Sequence, residues 1–160
     1  VQEMWAGLFA SSCNKDGQDD ENLIFIDLLQ KLTFSQAKIL NYSIINSRKI
    51  LFPNSLVLAD EFTVHCDEIK KITGINDIHR IDRELDYLRT LGLIDETSGG
   101  FDVDNELIAN LQPSYLALSL FVKSQGSSDN PDIFWKDEII TSDELDKEKA
   151  ENVKDRNKKE

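Results

Sequence analysis

Arg80, Arg83 and Tyr87 stand at i, i+3 and i+7 in the stretch Asn76–Ile94, NDIHRIDRELDYLRTLGLI. At helical spacing they share one face. Two guanidiniums beside a phenol are the groups that bond guanine edges or phosphate oxygens when such a helix enters a major groove. The same three side chains could instead meet a protein partner, with Arg80 paired to Glu84 as ordinary surface charge. Two features favour that second reading. Asp82, Glu84 and Asp86 balance Arg80, Arg83 and Arg89 locally. No Lys or Arg occurs between Arg89 and Lys123, whereas Asp95, Glu96, Asp102, Asp104 and Glu106 do. A loop that grips phosphates needs cations, so nucleic acid is disfavoured and an unidentified protein partner preferred.

The remaining chemistry-bearing residues are sparse. His65 and His79 lack a partner at metal-ligand spacing. Read as helical neighbours, His65 and Cys66 would diverge by about 100° and not chelate together. Cys13 and Cys66 belong to no metal or redox motif and are expected to be buried, reduced thiols. Gly99-Gly100 lacks the Gly-Lys-Ser/Thr ending of a phosphate loop. The expectation is no catalytic residue, no cofactor and no metal. A net charge of −12 repels phosphate backbones and anionic lipid at long range. The 40% hydrophobic content supports a real core. No apolar run approaches the roughly 20 residues of a membrane span. The chain opens VQEMWAGLFA, without Met or a basic leader, which predicts a cytoplasmic piece of a longer protein.

The elements that would position the ridge can be read from periodicity. Asn76 is the expected N-cap of its helix, with Ile78, Ile81, Leu85 and Leu88 facing inward and Gly92 ending it. Before it, Glu3–Cys13 has apolar Met4, Trp5, Leu8 and Phe9, and small Ala6, Gly7, Ala10 and Ser11 that admit a close neighbour. Asn22–Leu32 carries a stripe of Leu23, Ile26, Leu29 and Leu32, widened by Phe25 and Leu28. The two should form an antiparallel hairpin across the polar loop Asn14–Glu21. Thr33 or Ser35 caps a helix to about Ser47 with Ala37, Leu40 and Ile44 on one face. Asp60 is expected to cap the next, with Phe62, Cys66, Ile69 and Ile72 buried and Gly74 closing it. A turn of about two residues then leads into the ridge helix.

Beyond Gly92, Leu93-Ile94 and Phe101/Val103 look like two arms of a hairpin about Ser98-Gly99-Gly100, with Leu107-Ile108 as a return strand or apolar link. Pro113 suits a helix start, and Tyr115–Val122 is apolar nearly all round, so that helix should be buried. Phe134-Trp135 is placed to dock back. Thr141 and Glu144 have capping-box spacing at the head of a charged, solvated helix.

Glu3–Ser12 (EMWAGLFASS) and Phe25–Leu40 (FIDLLQKLTFSQAKIL) resemble the bacterial abortive infection alpha family. That family has a Trp-Ala-x-Leu-Leu-Ala-Ser run and then Ile-Leu-x-x-Leu-Ser-x-x-Asp-Ala-x-Ile-Leu. Here Phe9 stands for a Leu, Thr33 for the Ser and Gln36 for the Asp. Leu85–Ile94 (LDYLRTLGLI) is similar to the family's Leu-x-x-Leu-x-x-Leu-Gly-Leu-Ile. Leu111–Gly126 stands where the family has a Leu-Thr-x-x-Gly helix, with Gln112 and Tyr115 replacing the Thr and Gly. The resemblance spans Glu3–Gly126 and implies a link to phage defence, with no catalytic residue to carry over.

These readings predict a mainly α (α+β) fold: an N-terminal helical hairpin packed on a winged helix-turn-helix domain with a small β-wing. The expected divisions are 1–32 for the hairpin, 33–126 for the winged-helix-like domain, and 127–160 for a linker and charged C-terminal segment. The expected function is a non-enzymatic protein-interaction or regulatory module, compatible with a homo-oligomer. A winged-helix DNA-binding transcriptional regulator is the alternative. Arg80, Arg83 and Tyr87 are the contact residues under either.

Overall fold

The structure, a computed structural model, describes residues 1–13, 20, 22–95, 101 and 107–156, the last four by backbone only. The expected Ser98-Gly99-Gly100 turn, Val103, the carboxylates of Glu96, Asp102, Asp104 and Glu106, and most of the Asn14–Glu21 loop lie outside the described residues.

Three helices open the chain: α1 (Gln2–Ser11), α2 (Leu23–Lys31) and α3 (Phe34–Asn46). α3 starts at a full capping box. Thr33 Oγ1 accepts from the Gln36 backbone N–H at 3.2 Å, and Gln36 Oε1 accepts from the Thr33 N–H at 2.9 Å. Asn22 joins α1 to α2 by donating to Ser12 Oγ at 2.7 Å. The stripe of α2 is rotated from the expected one. Phe25, Leu28, Leu29 and Leu32 are buried, whereas Leu23 is exposed, as is Phe9 on α1. Both helices are apolar on more faces than they bury, so periodicity alone could not select the inner one.

The hairpin β1 (Lys49–Leu51) and β2 (Val57–Ala59) follows, antiparallel with Ile50 opposite Leu58. Next come β3 (Thr63–His65), α4 (Cys66–Thr73), α5 (Ile78–Thr90) and β4 (Ile108–Asn110). Asp60 is not a helix cap. Thr63–His65 is a strand with Val64 buried between exposed Thr63 and His65, and it pairs antiparallel with β4. His65 caps α4 instead, and Asp77 rather than Asn76 caps α5, each accepting from a first-turn N–H. Four residues, 74–77, join α4 to α5, not two. Leu93-Ile94 contributes one bridge, Ile94 to Pro113, extended by the Asp95 N–H bonding the Gln112 carbonyl at 3.0 Å. Pro113 therefore serves sheet pairing, and Ser114 caps the next helix.

That helix, α6 (Tyr115–Ser124), is the buried centre of the molecule. Ala117, Leu118, Leu120 and Val122 are fully buried. α1 packs chiefly on α6 rather than on its hairpin mate α2. The contact is close at Gly7, where an added Cβ would lie 1.7 Å from the Ser124 carbonyl oxygen. The chain ends with α7 (Pro131–Phe134), β5 (Ile140–Thr141) and α8 (Ser142–Arg156). β5 pairs parallel with β1, giving the sheet order β2-β1-β5. Trp135 is buried, stacked on Phe121 at 5.9 Å. Lys49 is also buried. Its ammonium donates to the carbonyls of Ile44 and Ser47 at the end of α3 and lies 5.3 Å from the Trp135 ring centre. Burial pushes the Lys49 amine below its ordinary value, partly opposed by Glu138.

α8 begins with the expected capping box. Glu144 Oε2 accepts from the Thr141 N–H at 2.8 Å and from its hydroxyl at 2.9 Å. The Thr141 backbone bond, then the hydroxyl, hold the Glu144 carboxyl below its ordinary value. A lowered carboxylate pKa stabilises the folded state above the unfolded value and stops doing so as pH falls through the folded one. We therefore expect α8 amides to lose protection first on acidification below the ordinary glutamate range. Hydrogen exchange followed by NMR checks this, and Glu144→Gln should remove the pH dependence while weakening the cap.

Candidate functional site

α5 turns its two faces to different surroundings. Ile81, Leu85 and Leu88 are fully buried and Ile78 half-buried. The helix ends in a Schellman arrangement. The Leu93 N–H bonds the Leu88 carbonyl at 2.9 Å and the Gly92 N–H bonds that of Arg89 at 2.7 Å, with Gly92 at φ 69°. This fixes the outer face, where Arg80, Arg83 and Tyr87 are all exposed.

Their charges are unequally answered. Arg80 Nε lies 3.7 Å from Glu84 Oε1. Glu84 is itself partly covered and accepts from Thr33 Oγ1 at 3.2 Å, which ties the ridge to the head of α3. Arg89 pairs with Asp86. Arg83 makes no ion pair among the described residues. Lys31, at the end of α2, was missed by sequence reasoning. It bonds Asp27 at 2.5 Å, the main cause raising its ammonium pKa, with Tyr87 the smallest of the causes and effective only as phenolate. No helical repeat links residue 31 to residue 87, so only the fold could bring them together. The ridge is thus a mixed surface of Lys31, Arg80, Arg83 and Tyr87 threaded with carboxylates. It can meet a complementary polar surface.

Of the other singled-out residues, His79 is exposed on α5. Cys13 is exposed, contrary to expectation, because α1 has ended before it. Cys66 is buried and both thiols are free. The expected divergence of His65 and Cys66 is overturned. His65 precedes the helix with extended backbone (φ −71°, ψ 145°), so its imidazole folds over the first turn. His65 Nδ1 accepts from the Asp67 N–H at 3.2 Å and lies 3.5 Å from Asp67 Oδ2. Cys66 Sγ lies 3.8 Å from Asp67 Oδ1. Lys70, bonded to Asp67 at 2.9 Å, is the main cause holding that carboxyl below its ordinary value.

The family model for abortive infection alpha matches residues 1–145. The chain belongs to the abortive infection alpha family. Membership ties it to abortive infection, a form of phage defence. The match extends past the expected limit at Gly126 to include α7, β5 and the head of α8. No curated protein and no solved structure matches. Among the described residues no helix is long and apolar enough to cross a membrane.

Proposed function

We propose that this member of the abortive infection alpha family is a non-enzymatic protein-interaction or regulatory module. It is built on a winged helix-turn-helix arrangement and uses Lys31, Arg80, Arg83 and Tyr87 as its contact surface. Support for the arrangement comes from element order. After α3 and the inserted hairpin β1–β2, the elements β3, α4, α5, the Ile94 bridge and β4 run as strand, helix, helix, bridge, strand. β4 and the residues after it lie between β3 and Ile94. The arginine-bearing helix then occupies the recognition position.

The observation that carries the choice of a protein partner is charge. Glu84 and Asp86 answer Arg80 and Arg89. The segment between Arg89 and Lys123 contains carboxylates and no cation. Phosphate contact draws its affinity from unshielded cations on both helix and wing. The test is affinity capture from bacterial lysate with wild type and an Arg83→Glu/Tyr87→Ala variant. A partner retained by wild type and lost by the variant is expected, together with no retention of duplex DNA at low salt.

The DNA-regulator reading rests on Arg83, exposed and outside any ion pair among the described residues. Salt-sensitive duplex binding that Arg80→Glu/Arg83→Glu abolishes would replace the protein-partner reading.

A further inference from the structure

We propose that His65, Cys66 and Asp67 form a binding site for a divalent transition-metal ion that accepts thiolate, with Zn²⁺ the ion best suited to it. Their donor atoms all lie within 4.8 Å of one another. In a tetrahedral zinc site the bond lengths place neighbouring ligand atoms roughly 3.3–3.7 Å apart. His65 Nδ1 lies 3.5 Å from one carboxylate oxygen of Asp67 and Cys66 Sγ lies 3.8 Å from the other, so a rotation of that carboxylate is what brings one oxygen to both. Imidazole, thiolate and carboxylate together select zinc over magnesium or calcium, which prefer oxygen alone.

The backbone that carries the three residues is held. The β3–β4 ladder ends at His65 opposite Ile108, and the Cys66 N–H bonds the Leu107 carbonyl at 3.0 Å. His65 and Asp67 are exposed, so an ion can enter from their side, while Cys66 closes the inner wall. Binding would draw His65 Nδ1 from the Asp67 N–H and Lys70 from the Asp67 carboxylate. The part-exposed Lys70 ammonium now stands where positive charge is wanted. The site lies at the start of α4, where a net cation would oppose the helix dipole. A dication bound by one thiolate and one carboxylate sums to zero and avoids this. On binding, a sulfur–metal bond forms and the thiol proton leaves to solvent, so affinity rises with pH. Three protein ligands leave a fourth position for water.

The test uses the full, tag-free, reduced chain carrying Cys13→Ser, titrated with Co²⁺ as the probe and then with Zn²⁺. We expect one equivalent of Co²⁺ to give the near-ultraviolet thiolate-to-metal charge-transfer band, and Zn²⁺ to bleach it. His65→Ala and Asp67→Asn, both at exposed positions, should each weaken binding at least tenfold. Cys66→Ser should abolish the band. Because Cys66 is buried, circular dichroism accompanies that variant, and the two exposed variants decide the outcome. No band at millimolar Co²⁺ overturns the proposal. So does a band of equal affinity in His65→Ala and Asp67→Asn, which would mark an adventitious thiol contact only.

Discussion

Leu85→Asp is expected to leave the chain without a cooperative melt at room temperature. Leu85 is fully buried between Ile81 and Leu88, on the side of α5 that meets α3. Its removal forfeits about 1.5–3 kcal/mol of apolar burial. Burying an ionised carboxylate there costs several kcal/mol more, and protonation only trades that for an unsatisfied hydroxyl and carbonyl. Together these rival the ~5–15 kcal/mol that holds an ordinary domain together. Arg83→Asp, two residues away and so on the outer face, should change stability by no more than ~0.5 kcal/mol. Thermal denaturation followed by far-ultraviolet circular dichroism separates the two. Equal melts would mean that α5 is turned the other way, and the exposed ridge would lose its basis.

Gly7→Ala should also be strongly destabilising, although alanine is the better helix former. The new methyl would sit 1.7 Å from the Ser124 oxygen, 2.4 Å from its carbonyl carbon and 3.1 Å from the Gly126 nitrogen. All three are backbone atoms, so no rotamer change relieves the clash. α1 has to move off α6. Overpacking of this kind costs about 1–3 kcal/mol, occasionally more. That outweighs the ~1 kcal/mol that replacing glycine gains within a helix. A backbone contact this short belongs at the severe end of that range, where the net loss is about 2 kcal/mol and Tm falls by roughly 4–8 °C in a chain of this size. The two effects have opposite signs, so a raised Tm would show that α1 and α6 are not in close contact in solution. Ala6→Ser, at an exposed position on the same helix, serves as the control.

Residue order was legible where one strong local rule acted alone. A helix start at Thr33 or Ser35, of which the structure uses Thr33, the Ile81–Leu85–Leu88 stripe, the left-handed turns at Gly74 and Gly92, and the burial of α6 were all of this kind. So was the close approach at Gly7, although the neighbour turned out to be α6. The failures share a cause. Thr63–His65 is three residues long and is a strand only because β4, more than forty residues on, pairs with it. Without that partner, Asp60 looks like an adequate cap. The same displaced boundary hid the meeting of His65 with Cys66 and Asp67, because a residue on the strand side of a cap does not follow helical spacing. Leu23 and Phe9 were assigned inward because α1 and α2 are apolar almost all round. Of the ridge, Arg80, Arg83 and Tyr87 were visible on one helix. Lys31 arrives from another, and no pattern within a helix could announce it.

The strand pairing of β5 with β1 has a bearing on where this protein can be cut. A chain halted after Gly126 would keep every residue of the ridge. It would also lose the indole that lies beside Lys49, leave an inner edge of the three-stranded sheet open to water, and strip cover from Phe121. Such a shortened form should express as a sticky species prone to pairing through that bare edge. A shortened form that keeps this sheet therefore has to extend at least past Thr141, and deletion mapping that stops earlier would mistake misfolding for loss of a contact surface.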